Sequence, residues 1–274
     1  MGSLIRSDFL KLKKSSTFWV CMVISLLMGI LMAVLYYIVW VNIGSTLREQ
    51  AEMMKWMGVE SGTFEEALAV FPEPNVFEYA NALLCDTNVL YIGAIVIGVF
   101  VGSEYSMGTV RNSISRGIQR YKLIISKFIV SSASMLFVVI AYVASGSLAS
   151  VVMFGFSTDM GKRKMLLVLA AYFCLFIAAA VFYVMVAVLS RKTGRAIAIS
   201  IVLPVIVETI IGMITFISAK DVGSFSRLWL FRTFVTTESM CLNGEFYVPF
   251  AVAAVYTLLC GTIAVEAFRH QEIK

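Results

Sequence analysis

The feature that most constrains this 274-residue chain is a run of 26 residues, 18–43, that contains no charged side chain. About 20 consecutive apolar residues are enough to cross the hydrocarbon core of a bilayer as a helix. Five more apolar runs follow, and together they predict spans at about 18–43, 79–102, 128–157, 165–190, 196–219 and 246–265. Only 14% of the residues are charged, against about a quarter in soluble domains. We therefore predict an all-α polytopic membrane protein with six transmembrane helices, folded as one domain over residues 1–274.

The lysines and arginines predict the orientation of these spans. Six crossings place both termini on one side. If that side is the cytoplasm, 14 of the 22 basic residues fall on short cytoplasmic segments, as the positive-inside rule requires, with the turn at 162–164 as an exception. We expect a multi-pass protein of the cell membrane with both termini cytoplasmic. The leader, 3–16, places Ile5, Phe9 and Leu12 at helical spacing, which predicts an interfacial helix; the alternative is a basic leader that only fixes topology.

The most distinctive charged segment is the basic island, residues 104–127, between the second and third predicted spans. It holds five basic residues and one acid. Gly108 and Gly117 allow sharp turns, and apolar residues at helical spacing predict a short helix over about 111–122. Such a helix would rest on the membrane helices and present its cations to a cytosolic partner. Glu104 is expected to pair with a nearby arginine or to cap the turn at Gly108 and Thr109. The alternative is a solvated loop whose positive charges only fix the topology of the chain.

The chain lacks the phosphate-binding loop Gly-x4-Gly-Lys-Ser/Thr. Its nearest approach, 155–162, has one residue too many between the glycines and is followed by Arg163 where a hydroxyl is needed. If ATP drives the protein, the nucleotide therefore binds on another polypeptide. We predict no catalytic residue and no cofactor bound by this chain. With one histidine and no acidic cluster, we also predict no metal site.

The island, the six spans and the leading helix resemble the permeases of type-2 ATP-binding-cassette exporters over essentially the whole chain. The resemblance implies that the island is a coupling helix seated in a groove of a cytosolic ATPase subunit, which binds ATP and magnesium. The matching positions are Glu104, Gly108, Thr109, Arg111, Arg116, Gly117, Arg120 and Lys127. A second permease protomer, identical or related, is implied too, as are contacts with membrane lipid, and no nucleic acid is expected. The expected cargo is an amphiphile such as an antimicrobial peptide, a lipid or a hydrophobic drug.

Two further features lie inside the predicted spans. Glu208 follows Pro204 by four residues in the fifth span, and an intramembrane carboxylate normally faces a bundle interior or water. We predict that it lines the substrate pathway; the alternative is a neutral or internally hydrogen-bonded packing residue. Gly98 and Gly102 allow a close helix contact, either within the chain or between protomers.

Some features leave alternatives open. Cys85 and Cys241 would form a disulfide if both faced an oxidising exterior, or else are unrelated residues near the membrane rim. Aromatic residues of the outer segment 220–245 either form part of a cap or exit, or anchor the chain at the lipid interface. The rival function is a non-transporting sensor or scaffold, whose island recruits a soluble partner or anionic lipid.

Overall fold

The computed structural model describes residues 1–56, 76–115, 117–154, 162–218 and 227–270. These residues form ten α-helices and contain no strand, which confirms the all-α class. The helices are α1 Gly2–Lys14, α2 Ser16–Trp56, α3 Val76–Cys85, α4 Asn88–Ser106, α5 Thr109–Ser115, α6 Arg120–Phe154, α7 Lys162–Ser190, α8 Thr193–Ser218, α9 Leu230–Leu242 and α10 Tyr247–His270.

Six of these helices contain a segment long and apolar enough to cross a bilayer. The segments are Ser16–Val39, Asn88–Ser106, Arg120–Met153, Leu166–Ser190, Thr193–Ile214 and Tyr247–His270. Each corresponds to one predicted span, so the number and order of the spans are confirmed. Six such helices indicate a protein embedded in a membrane.

The second predicted span, 79–102, is wrong in its extent because the chain turns within it. Helix α3 ends at Cys85 and α4 begins at Asn88. The Asp86 side chain stabilises this turn: its Oδ1 atom accepts hydrogen bonds from the backbone N–H of Asn88 at 3.0 Å and from Asn88 Nδ2 at 2.8 Å. The Tyr142 hydroxyl of α6 donates to the other carboxylate oxygen. An apolar run shows where lipid can contact the chain, but not where a side chain interrupts the helix.

Other helix ends lie beyond the predicted limits. Helix α2 continues to Trp56, although the first predicted span ends at residue 43, and α6 begins at Arg120 rather than at 128. Polar and charged residues extend both helices. The hydropathy pattern detects the lipid-immersed part of a helix, whereas backbone hydrogen bonding continues past the membrane boundary.

Helix α7 forms the centre of the bundle. In the most apolar 18-residue stretch of α7, 72% of the residues are buried, compared with 11% in that of α8, and α7 packs against α4, α6, α8, α9 and α10. Three consecutive alanines, Ala178, Ala179 and Ala180, are fully buried in it. Small side chains of this kind allow neighbouring helices to approach closely. The α8 segment instead presents most of its apolar surface to the surroundings of the chain.

The predicted glycine contact joins two helices of the same chain. A Cβ atom on Gly98 would lie 2.8 Å from Ile197 Cγ1, and one on Gly102 would lie 2.7 Å from the Cα atom of Thr193. Both neighbours lie in α8. The interpretation of these glycines as intramolecular packing sites is therefore confirmed, and they hold α4 against α8.

Helix α9 packs against the central helix α7. Its Phe231 and Phe234 are buried and pack against aromatic residues of α7, with ring centroids 5.7 Å apart for Phe231 and Phe182 and 4.9 Å apart for Phe234 and Phe176. These two phenylalanines belong to the core, so interfacial anchoring is the wrong interpretation for them.

The cysteines form no disulfide. All five, including Cys85 and Cys241, are free. Cys85 Sγ instead lies 2.7 Å from the hydroxyl of Tyr172, which also donates to the backbone carbonyl of Phe234 at 3.2 Å. The disulfide considered from sequence is therefore absent, and Cys85 links α3 to α7 by a hydrogen bond.

Candidate coupling site

Four charged side chains meet where α1, the end of α4 and the start of α6 come together. We call Asp8, Lys11, Glu104 and Lys127 the buried ion cluster. Lys127 Nζ lies 2.7 Å from Glu104 Oε1 and 3.0 Å from Asp8 Oδ2. Lys11 Nζ approaches the same two carboxylates, 3.0 Å from Glu104 Oε1 and 3.4 Å from Asp8 Oδ1. The cluster therefore joins three helices that are distant in sequence.

Three of the four members are removed from solvent. Asp8, Lys127 and Glu104 are 3%, 4% and 9% exposed. The surroundings compensate for this burial: Ser126 Oγ donates a 2.7 Å hydrogen bond to Asp8 Oδ2, and Lys127 Nζ lies 4.5 Å from the centroid of the Phe100 ring. A buried charge is tolerated when it is paired and hydrogen-bonded in this way.

The cluster is electrically balanced, with two carboxylates and two ammonium groups. Lys11 is its half-exposed member. Burial alone lowers the pKa of Lys11, but the carboxylates of Glu104 and Asp8 more than offset this, so its pKa is raised above the ordinary value. Because the folded-state pKa is the higher one, this stabilisation is complete below the ordinary lysine pKa and is lost only as the pH rises through the raised value.

Helix α5 projects from this cluster. It begins at Thr109 after a turn in which Gly108 has φ +66°, and Gly117 has φ +81° beyond its other end. The two predicted glycine turns are therefore confirmed, since side chains with a Cβ are strained at such angles. Thr109 Oγ1 donates to the backbone carbonyl of Glu104 at 3.1 Å, which fixes the first turn of α5 to the last turn of α4.

The two sides of α5 differ. Val110 is buried and Ile114 packs against the core, whereas Arg111 is exposed and has no ion pair or hydrogen bond with any residue that the structure describes. This agrees with the predicted division into an apolar side and a cationic side.

The island nevertheless differs from the prediction in three ways. The predicted helix over 111–122 is wrong in extent, because α5 ends at Ser115 and Gly117 turns the chain before α6. Glu104 pairs with lysines rather than with an arginine. Arg120 does not project freely, since its Nη1 atom donates a 2.7 Å hydrogen bond to the backbone carbonyl of Arg269 near the end of α10. Arg116 lies outside the described residues.

Glu208 forms a second charged site, apart from the cluster. Its Oε2 atom lies 3.8 Å from Arg232 Nη1 of α9, and its Oε1 atom is buried and has no hydrogen-bond partner among the residues that the structure describes. Pro204 is buried one turn earlier, inside α8. The carboxylate is thus partly paired and retains one oxygen for a further donor. Sequence reasoning missed Arg232, because nothing in the pattern places α9 beside α8.

Residues 61–274 match the model of a family described as "Protein of unknown function (DUF2705)", and this region covers more than three quarters of the chain. The chain belongs to the DUF2705 family. No curated protein and no solved structure matches it. The DUF2705 region contains α3 to α10, and so it includes Glu104 and Lys127 of the ion cluster. Asp8 and Lys11 come from the part of the chain that precedes it.

Asp8 and Lys11 are the members of the cluster that sequence reasoning missed in this DUF2705 protein. A signal for Asp8 was present. It follows Ile5 by three residues and precedes Leu12 by four, so it lies on the apolar side of α1. An acid on the side of a helix that faces the core indicates a buried cation opposite, and Lys127 is that cation.

Proposed function

We propose that this chain is the transmembrane permease subunit of an ATP-driven exporter of the ATP-binding-cassette type, which moves an amphiphilic substrate while a separate subunit hydrolyses ATP. The observation that carries the proposal is the position of α5. It is a short helix between two spans, exposed on its cationic side and attached at its base to the ion cluster. The resemblance of the island to the coupling helix of type-2 exporter permeases supports the same conclusion.

Helix α5 has the properties of a docking element. Arg111 offers a guanidinium with five N–H donors, which suits a carboxylate-lined groove on a cytosolic ATPase. Val110 and Ile114 keep the other side of the helix on the bundle. Because glycines with positive φ flank α5 at Gly108 and Gly117, the helix can tilt as a unit when the groove beneath it moves.

The ion cluster supplies the path from α5 to the membrane. Glu104 is in the last turn of the second span, and Lys127 is in the third span, two turns after its start. A displacement of α5 is transmitted to α4 through the Thr109–Glu104 contact and to α6 through the ion pair. Such a displacement changes the membrane domain only if its two conformations bind the ATPase with different free energies, and ATP-driven closure of the ATPase pair would provide that difference.

Glu208 and the exposed side of α8 support two other parts of the proposal, the substrate pathway and the second protomer. The unpaired Glu208 oxygen is placed to accept a hydrogen bond from a cationic or polar part of the cargo. The sparsely buried α8 offers an apolar surface to a second permease protomer, identical or related. In this arrangement Glu208 lines a pathway at or near the contact between protomers.

The decisive experiment is co-purification with a candidate ATPase whose coding sequence lies nearby and carries Gly-x4-Gly-Lys-Ser/Thr. The variant is Arg111→Glu with Arg116→Glu, and Lys14→Glu is the control with the same kind of charge reversal on an exposed lysine of α1. We expect the double variant to lose the ATPase while remaining folded in detergent, and the control to retain it. Retention by all three proteins with unchanged ATPase activity would refute coupling through α5. Capture of a soluble protein without nucleotide hydrolysis would favour the sensor or scaffold function.

A further inference from the structure

A groove of about 410 Å³ lies between α1, the first turns of α2 and the middle of α6. Its α1 wall consists of Arg6, Phe9, Leu10, Leu12 and Lys13. Four of these, Arg6, Phe9, Leu10 and Lys13, are spaced by three, four and seven residues and so share one side of the helix. Trp19 of α2 and Phe137 of α6 form the other walls. The groove is therefore apolar along its length and has a cation near each end of its α1 wall.

The groove is held open by a specific contact. Trp19 Nε1 donates a 2.8 Å hydrogen bond to the backbone carbonyl of Lys13, which fixes the angle at which α1 leaves α2. On its other side α1 is fixed by Asp8 of the buried ion cluster, so the wall that faces the groove cannot roll away. The groove is a stable part of the fold, independent of the ATPase proposed above.

The charges of the groove are uncompensated within the described part of the chain. Neither Arg6 nor Lys13 is in an ion pair with any of the residues that the structure describes, whereas Lys11, on another side of the same helix, is paired twice. Arg6 and Lys13 are about 10 Å apart along the helix, since each residue adds about 1.5 Å. Their long side chains can both reach an anion placed between them, and a guanidinium binds phosphate oxygens in a bidentate manner.

We propose that this groove is a binding site for one anionic phospholipid, with its phosphate between Arg6 and Lys13 and an acyl chain against Trp19 and Phe137. An apolar groove rimmed by cations complements a molecule with an anionic head and an apolar tail. A zwitterionic lipid fits the apolar walls but cannot compensate both cations. A soluble anion would bind the cations but would leave the aromatic walls without an apolar partner.

The size of the preference follows from the number of cations. We take each cation that contacts the bound headgroup to contribute as much as a Lys or Arg beside an anionic membrane surface, a factor of about five. Two cations therefore predict a preference for phosphatidylglycerol over phosphatidylcholine of about 25-fold, falling to about fivefold in Arg6→Gln or Lys13→Gln and to near unity in the double variant.

The test uses the full chain reconstituted in phosphatidylcholine vesicles that contain increasing fractions of brominated phosphatidylglycerol or brominated phosphatidylcholine. Bromines on the acyl chain quench a tryptophan in contact with that chain. Subtracting the Trp19→Phe signal isolates Trp19 from the other tryptophans. We expect brominated phosphatidylglycerol to quench Trp19 at a much lower fraction than brominated phosphatidylcholine does, and the double variant to lose this difference. Quenching by brominated phosphatidylcholine at high fraction should persist in every variant, which shows that each is inserted.

The control is Lys14→Gln. Lys14 is an exposed cation of α1 that does not line the groove. A defined site predicts that Lys14→Gln keeps the full preference, whereas attraction by the overall basic surface predicts the same loss as for Lys13→Gln. An equal loss in the two variants, or equal quenching by the two lipids in the unmodified protein, would overturn the proposal.

Discussion

Replacing Lys127 by Met should be the most damaging single substitution in the ion cluster. The ammonium group of Lys127 contacts Glu104 at 2.7 Å and Asp8 at 3.0 Å, and all three residues are almost completely buried. Met preserves much of the length and flexibility of the side chain, so the change removes a charge more than it removes packing. Removing one partner of a buried ion pair costs about 3–5 kcal/mol, because the remaining charge is left uncompensated. We expect a loss of free energy of unfolding in that range.

The matched comparison is Lys11→Met. Lys11 contacts the same two carboxylates, but its side chain is 48% exposed. Water can replace its ammonium group, so the expected loss is that of an exposed ion pair, about 1 kcal/mol or less. Both variants change the net charge of the cluster equally. Their difference therefore isolates the effect of burial.

A double-mutant cycle completes the argument. In Glu104→Gln with Lys127→Met the cluster is balanced again, because Asp8 and Lys11 remain as a pair. We expect the double variant to be more stable than the sum of the single changes predicts, with a coupling energy of about 2–3 kcal/mol. Unfolding of the purified protein by SDS, followed by tryptophan fluorescence, measures all four values. Equal losses for Lys127→Met and Lys11→Met, or simple additivity in the cycle, would refute the view that buried pairing holds these helices together.

Three other predictions follow from the described contacts. Gly102→Ala should destabilise the protein by about 1–3 kcal/mol, because its new Cβ meets backbone, while Gly212→Ala, with open space around it, should be neutral or slightly stabilising in the same SDS unfolding assay, because alanine favours a helix over glycine. Cys85 and Cys241 are free, so both should react with maleimide once the protein is unfolded under non-reducing conditions; protection from alkylation that dithiothreitol removes would contradict this. If the chain is the exporter subunit proposed above, Glu208→Gln should reduce transport and leave co-purification with the ATPase intact, and unimpaired transport would exclude Glu208 from the pathway.

The sequence predicts the fold well where one physical quantity dominates. Burial of apolar surface in a bilayer requires long apolar helices, so the number and order of the spans follow from hydropathy alone. The ends of the helices do not follow from hydropathy. Asp86, for example, stabilises the turn between α3 and α4 through hydrogen bonds, and a hydropathy profile contains no information about them. The packing of α9 is similarly hidden, since its phenylalanines are equally consistent with lipid contact and with core packing.

The candidate site is predictable in part. Glu104, Thr109, Lys127 and the two glycine turns are identified by the island pattern, and the first three come together in space. The choice of partner for Glu104 is not predictable from local spacing. The arginines are nearer in sequence, but the structure selects Lys127 and Lys11 because α1 packs across the ends of α4 and α6. A contact of this kind, 93 residues apart for Lys11 and Glu104, depends on the tertiary arrangement.

Within the island, the buried ion pairs restrict α4 and α6 more than they restrict α5. Asp8 and Glu104 share the single ammonium group of Lys127, so α1, α4 and α6 cannot separate at this end without breaking a buried ion pair. Between α4 and α6, however, α5 is bounded by turns at Gly108 and Gly117, where positive φ values are unstrained because glycine has no Cβ. A partner that binds the exposed side of α5 would therefore act on a short helix whose neighbours, α4 and α6, are joined by the ion cluster. If α5 docks on an ATPase as proposed above, a displacement of α5 that these turns do not absorb would reach two spans and the leading helix together, and α1 would then take part in the coupling.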